Sequence, residues 1–339
     1  MAGQKGTTVQ VGAAVQDIGM VRHSTLVDSS GRRYVDFRRC LTPRWGIVWT
    51  TLLGGHLGLI ISAALIVFLG QTIAVGWPGA SVLAIAGGAE LGFFLHYLTT
   101  YLHEGAHYNL APSRRTSDAL TNAFIGAFIG MNVKAYRKVH FDHHRYLGTT
   151  RDPERSYFNP LNLRFLLEGI TGVRQVRALK AYHQGLKSNS GAKTRDASLR
   201  SEGIVFLPAV AVNGLIIICS LWLNAVAFAI AWMLARLVFM PLFNTVRQLL
   251  EHRSELADDE TDYSRVPHGP VNRLFGGSLF AALFGSAGFN RHLLHHWDPS
   301  VSFTRLKEVE QFLMKTEIAP ILQRRHTTYY RTWQQLGRI

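Results

Sequence analysis

His103 and His107 stand four apart in "YLHEGAHYNL", a spacing that puts both imidazoles on one face of a helix and within reach of one metal ion. The same pentapeptide fits the H-E-x-x-H pattern of zinc proteases. Two further clusters follow: "HFDHH" supplies His140, His143 and His144, and "HLLHH" supplies His292, His295 and His296. Spacings of three and four again gather the rings on one helical face. Eight neutral imidazoles are too many for one ion, since a catalytic zinc takes three protein ligands and keeps an open position; two metals are implied. Imidazole suits iron, copper, zinc and nickel alike, so ligand type alone does not choose among them. A zinc protease would leave the second and third clusters unexplained, and no extended zincin helix or intramembrane aspartate-glycine motif accompanies the first. A metal transporter or sensor would spread ionisable residues through several membrane spans, whereas these histidines gather at the ends of the apolar blocks.

The elements that must position them are apolar. Residues 46–70 hold no charge, 79–102 hold only Glu90, and 203–235 hold none. A bilayer core of about 30 Å needs about 20 apolar residues, so four transmembrane helices are expected near 46–70, 79–102, 203–222 and 225–245. The 339-residue chain carries a formal charge of +14, which topology explains without nucleic acid. Residues 1–45 hold seven Lys or Arg against three acids, and 134–202 hold fourteen against six. The positive-inside rule therefore places both termini and the middle segment in the cytoplasm, with two short turns outside. Residues 1–45 lack the apolar core of a secretory signal. Cys40 and Cys219 are too few for a cysteine-rich zinc site and are not expected to pair.

Residues 119–133 and 274–289 are apolar but only about 15 long, which suits two short interfacial or re-entrant helices. If either crossed the bilayer, the clusters on its two sides would face opposite compartments and never share a site. The expected fold is thus all-α: four spans, two interfacial helices and a cytoplasmic helical cap carrying the histidines. Residues 1–45 form an N-terminal segment, 46–315 the membrane unit with its cap, and 316–339 a basic tail. A Ser, Gly and Lys stretch at 187–195 is the best linker candidate. Glu90 and Arg236 fall at similar depth near the midplane and are expected to pair, because an isolated charge there costs about 3 kcal/mol or more. His96 lies on the His103 face about 10 Å deeper and reads as a hydrogen-bonded core residue. His23, His56, His183, His268 and His326 belong to no cluster.

"HEGAH", "HFDHH" and "HLLHH", in that order among apolar spans, resemble the three histidine boxes of the membrane fatty acid desaturase superfamily. "HHRYLGTTRDPE" (143–154) looks like the second box with its following glycine and Asp-Pro-Glu, and "HHWDPSVSFTRL" (295–306) looks like the continuation of the third. The resemblance spans roughly residues 45–315. It implies a non-heme diiron centre held by the eight box histidines, with dioxygen as co-substrate, and a ninth ligand after the fourth span, here His252 in "RQLLEHR". Stearoyl-type members place an asparagine one turn before that histidine; Gln248 stands there and is a candidate to hold a metal-bound water. Carboxylates commonly orient metal-binding imidazoles through the other ring nitrogen, and Glu104, Asp142, Asp152, Glu251 and Asp298 adjoin these histidines.

The function implied is oxidation of an unactivated C–H bond in an acyl or lipid chain, first as a desaturase, with a hydroxylase or ketolase of an alkyl, sphingoid or carotenoid chain as the alternative. Placement of the neighbouring C–H decides between them, and it is not written in the ligands. No heme or dinucleotide motif is present. Electrons are expected from an external carrier such as ferredoxin or cytochrome b5, docking on the basic cytoplasmic face among the membrane lipids.

Overall fold

The computed structural model describes residues 18–72, 76–174, 176 and 192–337. Among them the secondary structure is helical, with only isolated β-bridges such as Leu274 to His326. A short α1 (Tyr34–Arg39) precedes two long apolar helices, α2 (Trp45–Thr72) and α3 (Trp77–Ala106). Next come α4 (Arg114–Thr121), α5 (Val133–Tyr146) and α6 (Leu163–Ile170). The second half holds α7 (Ala192–Trp222), the continuous helix α8 (Val226–His252) and α9 (Leu279–Phe284). It closes with α10 (His292–Trp297), α11 (Leu306–Leu313), α12 (Ala319–Arg325) and α13 (Tyr329–Leu336).

Three helices, α2, α3 and α8, are long and apolar enough to cross a membrane. The block expected as a further span ends α7, where the apolar stretch among the described residues is Phe206–Trp222. The linker expected at 187–195 lies largely outside the described residues. Small residues let these helices approach closely: a Cβ on Gly92 of α3 would collide with Phe239 of α8. Their outer faces carry exposed Leu57, Ile60, Phe68, Val82 and Leu237, the apolar belt a lipid-facing bundle needs. α8 contains a π-helical turn at Ala235–Phe239, immediately before Pro241. Proline has no N–H to continue the α ladder, and a widened turn absorbs the break.

The expected Glu90 to Arg236 pair does not form. Glu90 accepts a hydrogen bond from Ser62 of α2 (2.6 Å), whereas Arg236 turns along its own helix to the Met240 sulfur (3.2 Å). Equal depth did not bring the two side chains to a common face. His96 is a core residue: its Nδ1 meets Asn244 (2.9 Å) and its Nε2 the Phe284 carbonyl (3.0 Å). His56 bridges the Leu52 and Phe124 carbonyls (3.0 and 2.9 Å), tying α2 to the chain after α4. Cys40 and Cys219 are free thiols.

The two 15-residue stretches differ. The first is helical as far as Ile129: α4 continues through a π turn at Asn122–Gly126 and three more helical residues, then stops at Gly130 in the left-handed region. The second keeps only α9, because Gly276, Ala287 and Gly288 all take positive φ. The cap core joins both ends of the chain to the third histidine cluster: Leu26 and Tyr34 pack with Leu293, Leu294, Trp297, Val309 and Leu322. Tyr329 of α13 stacks on Phe275 with ring centres 3.8 Å apart.

Candidate metal centre

Each histidine cluster sits on a helix that something else holds in place. The first ends α3, whose last carbonyls are capped by a buried guanidinium: Arg137 donates to the oxygens of Ala106 (2.6 Å) and Gly105 (2.9 Å) and pairs with Asp118 (2.5 Å). The second lies on α5, which starts with the Asn132 side chain accepting from the Lys134 amide (2.8 Å). The third occupies α10, a helix too short to stand alone and fixed by Leu293, Leu294 and Trp297 in the cap core. His252 is the last residue of α8.

These elements bring nine histidines into two groups. His103, His107, His140, His144 and His295 offer ring nitrogens within 4.8 Å of one another, and so do His143, His252, His292 and His296. In the first group the His140 Nε2 lies 2.9 Å from the Nε2 atoms of both His107 and His144, and that of His144 lies 3.1 Å from His295. In the second the His292 Nε2 lies 3.1 Å from His252 and 3.0 Å from His296.

A ring nitrogen has either one proton to give or one lone pair to accept with, so hydrogen bonding does not satisfy one that has two such neighbours. A shared cation does. Nitrogens about 2.1 Å from one metal and at right angles to each other stand about 3.0 Å apart, the spacing seen here. His103 adds a buried Nε2 without any hydrogen-bond partner. The donor set therefore fits two imidazole-bound metal ions.

Protonation states agree. Burial pushes His107 down to about 3 and His144 down to about 2, and holds His140, His292, His295 and His296 well below the usual histidine range. For His143 burial pulls the same way, but the facing Glu154 and Asp152 carboxylates outweigh it and raise the ring.

The polar neighbours expected from sequence divide. The His143 Nδ1 donates to Asp152 (2.9 and 3.0 Å to its two oxygens), which itself accepts from the Tyr157 hydroxyl (2.5 Å). Glu104 is buried with an oxygen 3.4 Å from the His103 Nδ1, and Glu251 has one 3.9 Å from the His292 Nε2. Glu251 also receives Arg247 (2.6 Å) and the Tyr329 hydroxyl (3.3 Å). His252 is oriented by backbone instead, its Nδ1 donating to the Val271 carbonyl (2.9 Å).

Asp142 makes no hydrogen bond or ion pair to a box imidazole among the described residues. Asp298 is brought elsewhere: it ends α10 on the side facing the N-terminal segment and binds Arg38 (2.5 Å) and Tyr34 (2.9 Å). Gln248 reaches the site, but its amide is engaged by Glu154 (2.5 Å) and Ser156.

Glu154, Tyr136 and Arg247 were missed by sequence reasoning. With Gln248 and histidines of both groups they line a small polar cavity. Glu154 has one oxygen without a hydrogen-bond partner, 3.6 Å from the His140 Nδ1. Its signal was available in the Asp-Pro-Glu that follows the second box.

Helical among the described residues, with three helices long and apolar enough to cross a membrane and a buried double cluster of imidazoles compatible with metal, the chain has the form of a membrane protein with a candidate metal site. The family model described as fatty acid desaturase matches residues 76–332, most of the chain, and the protein belongs to that family. Membership implies oxidoreductase activity on a lipid acyl substrate.

Proposed function

We propose that this chain is an O2-dependent diiron membrane oxidase that introduces a double bond into a fatty acyl chain. The observation that carries the proposal is the convergence of nine imidazoles into groups of five and four within a fatty acid desaturase family chain. One ion would be held by His103, His107, His140, His144 and His295, the other by His143, His252, His292 and His296. Irons bound there would activate dioxygen for removal of hydrogens from an unactivated chain.

The protein's own residues do the holding. Asp152 and the Val271 carbonyl fix the rings of His143 and His252 with the opposite nitrogen free for metal. Burial keeps most of the other imidazoles in the neutral, ligating form. The carboxylates of Glu104, Glu154 and Glu251 offset the charge of the site from within hydrogen-bonded settings.

The apolar end of α7 serves as a fourth span in this reading, and α9 lies at the membrane interface with exposed Leu279 and Phe280. The excess of Lys and Arg in the segments outside the apolar helices supports a cytoplasmic location for both termini and the site. A membrane unit over 46–315 is flanked there by residues 1–45 and 316–339, and an external carrier such as ferredoxin or cytochrome b5 supplies electrons.

Mass spectrometry of total lipids tests this, comparing cells that express the wild-type chain with cells that express His144→Ala, both with a ferredoxin system co-expressed. New species lighter by two hydrogens, absent in the variant, are expected. Species heavier by one oxygen would move the assignment to a hydroxylase or ketolase. Iron content well below two per purified chain would overturn the diiron reading.

A further inference from the structure

The cap carries a second cationic feature that this reaction does not use. A cleft of about 390 Å³ is walled by Arg273, Arg324, Arg325 and Arg331, with Thr327 beside them and Glu255 as its acid. Four guanidinium groups against one carboxylate leave a surplus of three positive charges. Arg273 is already engaged: it pairs with Glu255 (2.5 Å) and donates to the Leu250 carbonyl (2.9 Å) near the end of α8. The side chains of Arg324 and Arg331 make no hydrogen bond or ion pair among the described residues, and Arg325 reaches Glu255 only by longer-range attraction.

A run of arginines on an exposed helix is usually only a solvated face. These come from two elements, α12 and α13, and converge on a concave surface held by backbone. The Leu274 amide donates to the Arg325 carbonyl (3.0 Å), the Thr327 amide donates to the Leu274 carbonyl (2.8 Å), and the Thr328 hydroxyl caps α13 by accepting from the Arg331 amide (3.0 Å). The walls are therefore preorganised while the guanidinium groups of Arg324 and Arg331 make no hydrogen bond or ion pair among the described residues.

We propose that this cleft binds a phosphate-bearing group, either the headgroup of a membrane lipid or a soluble phosphate ester. Guanidinium forks match phosphate oxygens two at a time, and the volume suits a small ligand better than a flat protein surface would. The exposed Tyr330 adjoins Arg331, and its neighbour Tyr329 lies with its ring centre 6.2 Å from that of Phe280, on the exposed apolar face of α9. A lipid headgroup would thus find charge beside an apolar surface. The inference is independent of the metal reading, because neither the walls nor the test involves a histidine box.

The experiment is calorimetric titration of the purified full chain, in neutral detergent at low ionic strength, with inorganic pyrophosphate. Saturable binding is expected, weakened roughly tenfold or more in Arg324→Gln/Arg331→Gln. Both side chains are exposed, so the thermal midpoint should not move; if it does, Arg325→Gln replaces the double variant. Phosphatidic acid added to phosphatidylcholine vesicles carrying the protein should reduce pyrophosphate binding if the natural occupant is a lipid, and leave it unchanged if it is a soluble ester. No saturable binding, or equal affinity in the variants, overturns the proposal. Docking of an acidic protein at these arginines without pyrophosphate binding overturns it as well.

Discussion

Neutral imidazole is both the metal-ligating form and the form that burial enforces, and this couples stability to pH. In the folded chain His107 is held near 3 and His144 near 2, against 6.5 for the free side chain. Between those limits the unfolded chain binds more protons, so stability falls as pH drops below about 6.5. His143, which is raised, opposes this in part. Thermal unfolding of metal-free protein in detergent should show a lower midpoint at pH 5 than at pH 8, because the buried histidines outnumber the groups that oppose them. An equal or higher midpoint at pH 5 would contradict neutral burial. The meeting of the histidines was readable from spacing because imidazoles three and four apart share a helical face whatever surrounds them. Asp298 was not, because adjacency to a box in sequence says nothing about which side of a six-residue helix a side chain leaves from; here it leaves toward Arg38.

At the scale of elements, the first box depends on Gly105, the residue between Glu104 and Ala106. A Cβ there would run into the Thr121 side chain of α4. Gly105→Ala is expected to destabilise by about 1–3 kcal/mol, since the packed neighbour must shift. Gly54→Ala is the control: nothing lies within 4 Å of its Cβ position, so the gain in helix propensity should make it neutral or slightly stabilising. Equal midpoints for the two variants would refute the packing account. Hydropathy located the three long apolar helices α2, α3 and α8, because crossing a bilayer is a demand on local composition, though α8 runs on to His252, seven residues past the expected end. It did not show the π turn at Ala235–Phe239 or the rotation separating Arg236 from Glu90, since both follow from how α8 packs on its neighbours.

For the whole molecule, the N-terminal segment works as a strap. Arg38, 39% exposed, pairs with Asp298, 2% exposed, and Tyr34 donates to the same carboxylate beside the third box. Arg38→Ala leaves a buried carboxylate short of its partner and should cost about 1–3 kcal/mol, less than for a fully buried pair because the arginine is partly solvated. The check is the thermal midpoint together with the metal retained after dialysis against a chelator. Loss of neither would mean the strap does not support α10. Residues from both ends of the chain, Ile18, Leu26 and Tyr34 at one and Ile318, Ile321 and Leu322 at the other, share one core cluster with the third histidine helix.

Local pattern alone carried the apolar blocks, the helical faces of imidazole and the demand for more than one metal, because each depends on residues within a turn or two of one another. The fold decided what requires distant residues to meet. It divided nine histidines into groups of five and four, gave His143 a carboxylate and His252 a backbone carbonyl, and brought Glu154 to the cavity. It also turned three arginines from α12 and α13 toward one cleft. Those outcomes depend on helix rotation and loop closure, which are set by packing over the whole chain rather than by the spacing of residues along it.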